Sequence, residues 1–425
     1  GIAIGNNTGI ISTIIFLSLS YSIYHFNPTP TNQPYKTFYV ITITMKTLIF
    51  LLILFITSNY AQISILSEEA DSLVINGSNY IYNVQFDSAH NEFEKLITLY
   101  PKHPAGYFLD AMVSWWKITI HRNDAAFEGE FLKKIERVID KCDDILEDKP
   151  KDITALFFKG GALGYRARYY GEKEDWFDAA SDGKTAYDIM NECHKTAPGN
   201  HDIMLGTGIY NYFAAVFPEQ FPLAKPLMTF LPPADKQLGL YQLKAAAYEA
   251  RYSNVEAMVV LMQAYYTFEK DYNNAFLWIE KLHTKYPNNP YFHRYYARCM
   301  NKFGKWDELE TEWREIIKRS IARMEGYNNK TALEGLYYVG IALQRKGKQE
   351  DAIKYFKKTM EVADFIDEED KGFYLSAQYK LGYSYEMLKD YKKAKEVYKQ
   401  CLKDDDYDDT HARAKQRLES INKRN

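Results

Sequence analysis

The residues of this chain that could do chemistry are best suited to binding a carboxylate. Arg294 and Arg298 lie four residues apart, so on a helix both guanidinium groups fall on one face. Guanidinium grips carboxylate through paired hydrogen bonds, which makes the two arginines a candidate anchor for an acidic group of a ligand. Acidic neighbours on the same chain are the alternative partners.

Aromatic side chains supply the second candidate chemistry. The chain contains 36 Tyr, 24 Phe and 6 Trp residues. Tyr packs its ring and keeps its hydroxyl at a rim or in a groove, so the abundance indicates either interhelical packing or a Tyr-lined binding surface. A glycan-binding module would also use stacked Trp and Tyr rings, although no paired-carboxylate cleft accompanies them in the sequence.

Catalytic and metal-binding patterns are poorly supported. Cys193, His194 and His201 form the tightest group, and a turn between helices explains it better. The acidic run 404–409 lacks the spacing and closing Glu of a calcium loop, which favours a solvated turn. The four cysteines are far apart, so we expect buried free thiols. We predict no catalytic residue, no metal and no cofactor.

The elements that position these residues are predicted to be helices in repeated pairs. In the clearest unit, small, Tyr, small, aromatic and Pro positions follow in steps of 3, 9, 4 and 8 residues, at Gly77, Tyr80, Ala89, Phe93 and Pro101. The next small residue, Ala111, comes 34 residues after Gly77. Eight first helices can be indexed in this way by the residue at the helix crossing: Gly77, Ala111, Gly160, Gly208, Gln263, Ala297, Gly340 and Gly382.

This spacing resembles the tetratricopeptide repeat (TPR) family over most of residues 63–425. The resemblance implies an all-α solenoid of about eight antiparallel helix pairs that serves as a protein-binding scaffold without catalysis. Residues 206–213, the Pro-rich stretch after them and residues 231–246 also resemble exported TPR proteins of Bacteroidetes. They are more distantly similar to the eukaryotic TPR family linked to lipid-droplet and inclusion clearance.

Residues 211–237 interrupt the repeat pattern. Five prolines in this stretch oppose a long regular helix, and its many apolar side chains oppose a solvated loop. We predict an ordered insert that folds onto the solenoid or forms a patch touching a partner or a membrane. The patch hypothesis rests on Phe217, Phe221, Leu227, Met228 and Phe230.

In a TPR solenoid the first helices line the concave face, so the resemblance predicts a groove that is aromatic early and basic late. We expect a protein partner, bound as an extended peptide or a helix, with apolar side chains near Trp115 and Tyr212 and a carboxylate near the arginine pair. The predicted groove residues are Phe108, Met112, Trp115, Tyr212, Arg294, Arg298, Asn301, Tyr337, Gln344 and Arg345.

The N-terminal part of the chain predicts export. Residues 45–61 combine a basic start, about ten apolar residues and a small residue before a plausible cut, which is typical of a secretory signal peptide. We predict cleavage after Ala61 and a periplasmic location in a Gram-negative bacterium, with residues 1–44 as translated upstream sequence or, alternatively, a membrane anchor. The formal net charge of −3 gives no basis for nucleic acid as the main partner. A lipid-associated envelope factor that acts through the insert is the alternative function.

Overall fold

The computed structural model describes residues 67–121, 125–220, 231–366 and 371–423, where it contains seventeen α-helices and no strand. The signal peptide and residues 1–44 lie outside these ranges. The helices are α1 Glu68–Tyr82, α2 Phe86–Leu99, α3 Pro104–Ile120, α4 Glu128–Asp148, α5 Ile153–Glu172, α6 Trp176–Thr196, α7 His201–Gln220, α8 Lys236–Glu249, α9 Asn254–Gln263, α10 Tyr272–Lys285, α11 Pro290–Lys302, α12 Trp306–Ile321, α13 Asn329–Arg345, α14 Gln349–Ile366, α15 Gly372–Met387, α16 Tyr391–Cys401 and α17 Thr410–Asn422. They form eight consecutive pairs and one last helix, which confirms the predicted fold class.

Each pair that is indexed by a glycine closes around that glycine. A Cβ atom added to Gly340 would lie 2.6 Å from Cε1 of Phe356, and one added to Gly382 would lie 2.7 Å from Cε1 of Tyr398. Both aromatic rings are fully buried on the second helix of the pair. The absence of a side chain on the first helix therefore lets the ring of the second helix reach the helix backbone, which explains the recurring Gly–aromatic spacing.

The fifth pair departs from this rule at Gln263, as its sequence suggested. Helix α9 ends at Gln263 and passes directly into a π-helical turn, Ala264–Phe268. The Gln263 amide nitrogen donates to the Tyr291 hydroxyl at 2.5 Å, so the long side chain is directed toward the next pair instead of being packed at the crossing. Such π-helical turns are rare and occur mostly as single turns within α-helices.

Helix α7 extends further than the prolines predicted. It continues to Gln220 with Pro218 in its last turn, so ten residues of the predicted insert are regular helix. Pro218 cannot donate to the carbonyl oxygen of residue 214, but Tyr212 and Val216 of the same helix are buried in the core, and this packing holds the helix. Residues 221–230, with four of the five predicted patch residues, lie outside the described ranges.

The remaining core follows the expected pattern. All four cysteines are buried and carry free thiols, as predicted. Burial raises the pKa of Cys142 to about 12, which keeps this thiol protonated and unreactive at neutral pH. None of the helices within the described ranges combines the length and apolar character needed to cross a membrane.

Candidate functional site

The first helices of successive pairs lie side by side and form one layer of the solenoid. Helix α13 contacts α15, and α15 contacts α17, while the second helices pack behind them. This layer is where the sequence predicts a ligand groove. The N-terminal and C-terminal first helices of this layer differ in whether other helices of the chain pack over them.

The early part is covered by the chain itself. Helix α3 contacts α11, where the Trp116 ring meets Phe292 edge-on at a centroid distance of 5.5 Å. Asn289, the buried residue that caps α11, donates from its side-chain amide to the backbone carbonyl oxygen of Tyr82 at 3.0 Å. The first two pairs are therefore packed against the fifth and sixth.

We call the contact between the first two pairs and the fifth and sixth pairs the closure. A carboxylate of α9 lies at its centre. The Trp116 indole N–H donates to Oε1 of Glu256 at 2.7 Å, and the Tyr82 hydroxyl donates to the same oxygen at 3.1 Å. Burial raises the pKa of Glu256, although these hydrogen bonds and the nearby Arg168 oppose the rise. Three helices far apart in sequence are thus joined through one polar contact point.

The closure buries the aromatic residues that the sequence placed in a groove. Met112, Trp115 and Tyr212 are only 6%, 2% and 0% exposed. Phe108 is half-buried and packs against Phe158 at a centroid distance of 5.5 Å. The structure therefore corrects the sequence-based expectation, because the early aromatic residues form core contacts and do not line an open groove.

The arginine pair is occupied by a neighbour on the same solenoid. Glu334 on α13 is fully buried, and its Oε2 accepts from Nη2 of Arg294 at 2.7 Å while its Oε1 accepts from Nε of Arg298. This is the intramolecular alternative that the sequence left open. Glu334 stands where the anchor hypothesis placed a ligand carboxylate, and no motif around it distinguishes it from other acidic residues.

A group of basic side chains on the late first helices has less of its charge balanced by carboxylates than the arginine pair of α11 has. We use the name basic cluster for Arg345 of α13, Lys380 of α15, and Arg413 and Arg417 of α17. Burial, followed by the charges of the three arginines, lowers the pKa of Lys380 to about 8, although the Asp408 carboxylate opposes this shift. Arg413 pairs with Asp408 at 3.1 Å.

The cations of this cluster differ in their partners. Arg417 pairs with Glu386 at 3.5 Å. Lys380 forms no salt bridge with any residue that the structure describes, and Arg345 is exposed with its guanidinium 5.5 Å from the Trp306 ring centre. The sequence identified Arg345 but missed the other three. The neighbouring Gln344 is buried and donates to the Lys380 carbonyl oxygen at 3.0 Å, so it holds α15 in place.

The other predicted residues are spread along the layer. Tyr337 is half-buried and packs against Phe373 at a centroid distance of 5.5 Å. Asn301 is half-buried near the end of α11. Phe217, the one patch residue within the described ranges, packs against Trp176 at 5.8 Å. The structure therefore does not bring the predicted groove residues into one continuous site.

Potential metal ligands meet at two places in the described part of the chain. The groups are His283, His293 and Glu312, and His90, Glu94 and Asp110. Burial lowers the pKa of His283 to about 4, so its imidazole is neutral at neutral pH. The acidic run 404–409 belongs to neither group.

Stacked helix pairs that close around small residues define a helical-repeat protein. Residues 331–405 match the family model described as tetratricopeptide repeat, which confirms the resemblance inferred from sequence. These residues therefore carry tetratricopeptide repeats, and such repeats are typically protein-interaction scaffolds without catalysis.

Two solved structures are similar to the chain at low identity. Yeast Tom70 is 10% identical, with 81% of this chain and 87% of that chain covered and a TM-score of 0.37. A tetratricopeptide repeat protein from Parabacteroides merdae is 12% identical, with 75% of this chain and 99% of that chain covered and a TM-score of 0.30. No curated protein matches the sequence.

Proposed function

We propose that this chain is a scaffold that binds a protein partner on α13, α15 and α17, and that Lys380 and Arg345 bind an acidic group of that partner. The observation that carries the proposal is Lys380, a half-buried amine that forms no salt bridge in the described ranges and whose three arginine neighbours are only partly offset by Asp408. Protonated Lys380 is unfavourable there, and a bound carboxylate would relieve the repulsion.

Aromatic rings beside the cluster supply apolar contact area for the same partner. The Arg417 guanidinium lies 4.7 Å from the Tyr383 ring centre, and the Arg413 guanidinium lies 4.9 Å from that of Tyr379. Tyr and Arg are the residue types that contribute most to protein interfaces. The half-buried Tyr383 ring and the exposed Arg345 favour an acidic peptide with an adjacent apolar side chain.

The test begins with peptides selected on the immobilised mature chain from a random library. Selected sequences are expected to contain an acidic residue, and their affinity, measured by fluorescence anisotropy, should fall at least tenfold in Lys380→Gln, as expected for the loss of about 1.5–3 kcal/mol from a charge-assisted hydrogen bond. Lys399→Gln is the matched control, because Lys399 is exposed on α16 and the charge change is the same. Equal affinity in the two variants would contradict the proposed site.

We also propose that the scaffold acts in the cell envelope. The proposal is supported by the signal-peptide pattern of residues 45–61, which lies outside the described ranges. N-terminal sequencing of the protein purified from its native source is expected to begin at Gln62. A mature protein that still carries residues 45–61 would contradict export by this signal. A lipid-associated role through the insert stays the alternative, and deletion of residues 216–233 would abolish liposome association in that case.

A further inference from the structure

We propose that His283, His293 and Glu312 form a binding site for a divalent transition metal of the zinc class. Their candidate ligand atoms all lie within 4.8 Å of one another. Two imidazole nitrogens and one carboxylate oxygen are a donor set that suits Zn²⁺, whereas Ca²⁺ and Mg²⁺ prefer oxygen ligands alone. This site is separate from the basic cluster and does not depend on the proposed peptide binding.

The three side chains come from three consecutive helices. His283 lies on α10, His293 on α11 and Glu312 on α12, so the backbone positions are fixed by the helix packing between the fifth and sixth pairs. The His283 and His293 rings are stacked, with centroids 4.9 Å apart. Nε2 of His293 and Oε2 of Glu312 are hydrogen-bonded at 2.9 Å, so a metal ion would take the place of the proton between them. Ligand atoms bound to one Zn²⁺ are about 3–3.5 Å apart, so movements of about 1 Å complete the site.

An unpartnered nitrogen at the site favours a ligand. Nδ1 of His283 is buried and has no hydrogen-bond partner within the described structure. A buried polar nitrogen without a partner is unfavourable, and coordination of a metal ion would satisfy it. The other imidazole, that of His293, is held in place by a hydrogen bond, since its Nδ1 lies 3.1 Å from the Tyr327 hydroxyl. A hydrogen bond at the second ring nitrogen orients a metal-binding histidine.

The second group of potential ligands lacks these features. His90 has a side chain that is 46% exposed, and its Nδ1 already lies 2.6 Å from Asp110. Asp110 also pairs with Lys134 at 3.0 Å. His90 and Glu94 are exposed and Asp110 is already paired with both His90 and Lys134, so this group serves as the internal control.

The experiment titrates Zn²⁺ into the chelator-treated mature chain by calorimetry, with glycine as a competing ligand. We expect one high-affinity ion per chain, an affinity about 100-fold weaker in His283→Gln and in Glu312→Gln, and an unchanged affinity in His90→Gln. Co²⁺ in place of Zn²⁺ is expected to give the visible absorption of a tetrahedral nitrogen–oxygen site, and Mg²⁺ is expected not to bind.

Three results would overturn the proposal. These are the absence of a one-to-one Zn²⁺ complex, equal affinity in His283→Gln and His90→Gln, and binding of Mg²⁺ as tight as that of Zn²⁺. If His283→Gln fails to fold, Glu312→Gln decides, because the Glu312 side chain is 28% exposed and its loss perturbs the core less. Thermal unfolding gives a second readout, since a metal that bridges three helices raises the midpoint temperature of the unmodified chain and of His90→Gln only.

Discussion

Replacement of Lys380 by Met is expected to stabilise the protein. Burial and the neighbouring arginines lower the pKa of Lys380 from 10.5 to about 8. At 1.36 kcal/mol per pKa unit this shift corresponds to about 3 kcal/mol, and screening of the half-buried amine reduces the expected gain to about 1–3 kcal/mol at pH 7. Met keeps the apolar stem of the side chain, so the comparison isolates the charge.

The pH dependence follows from the sign of the shift. The folded-state pKa lies below the unfolded-state pKa, so the folded chain binds fewer protons between pH 8 and 10.5. The unfavourable contribution of Lys380 is therefore complete below pH 8 and disappears as the pH rises toward 10.5. The advantage of Lys380→Met over the unmodified chain should shrink through the same window.

Urea unfolding of residues 62–425 at pH 7, 8.5 and 9.5, followed by Trp fluorescence, measures this difference. Lys399→Met is the control, and because Lys399 is exposed we expect a change within about 0.5 kcal/mol. A lower stability of Lys380→Met, or an advantage that does not change with pH, would refute the reasoning about the basic cluster.

Three further perturbations test the packing. Gly340→Ala directs a methyl group to within 2.6 Å of a buried ring and should lower the free energy of unfolding by about 1–3 kcal/mol. The methyl group of Gly171→Ala meets open space, so this variant should raise the free energy of unfolding by about 0.5–1 kcal/mol. Thermal unfolding compares the two variants. Glu334→Ala leaves two largely buried guanidinium groups without their carboxylate, and urea unfolding should show a loss of about 3–5 kcal/mol. Glu256→Ala removes the acceptor at the closure, so hydrogen exchange should rise together in α1, α3 and α9; a rise in one of them alone would argue against the closure.

The helix pairs were predictable because they depend on local rules. Small residues at the crossing and aromatic residues on the second helix repeat at fixed spacing, and each pair contacts mainly its neighbours. The rule that Pro ends a helix was wrong at Pro218. This residue is tolerated in the last turn of α7, because the apolar face of that helix is held in the core.

The candidate sites were less predictable because they depend on contacts between distant segments. His293 follows His283 by ten residues and precedes Glu312 by nineteen, and only the packing of three helices brings these ligands together. Arg294 meets Glu334 across 40 residues. Periodicity assigned Arg294 correctly to a first helix, but it contains no information about which acidic residue of the next pair lies opposite.

The closure also gives a reason why binding is expected on the late helices. Once α1 and α3 pack against the fifth and sixth pairs, the early first helices present core contacts, and Glu334 compensates the arginines of α11. The next cations along the layer belong to the basic cluster, where two arginines form salt bridges but Lys380 forms none within the described residues. A partner carboxylate would complete there the pairing that Glu334 completes on α11. The stability lost to Lys380 in the free protein is then available as affinity when an acidic partner binds.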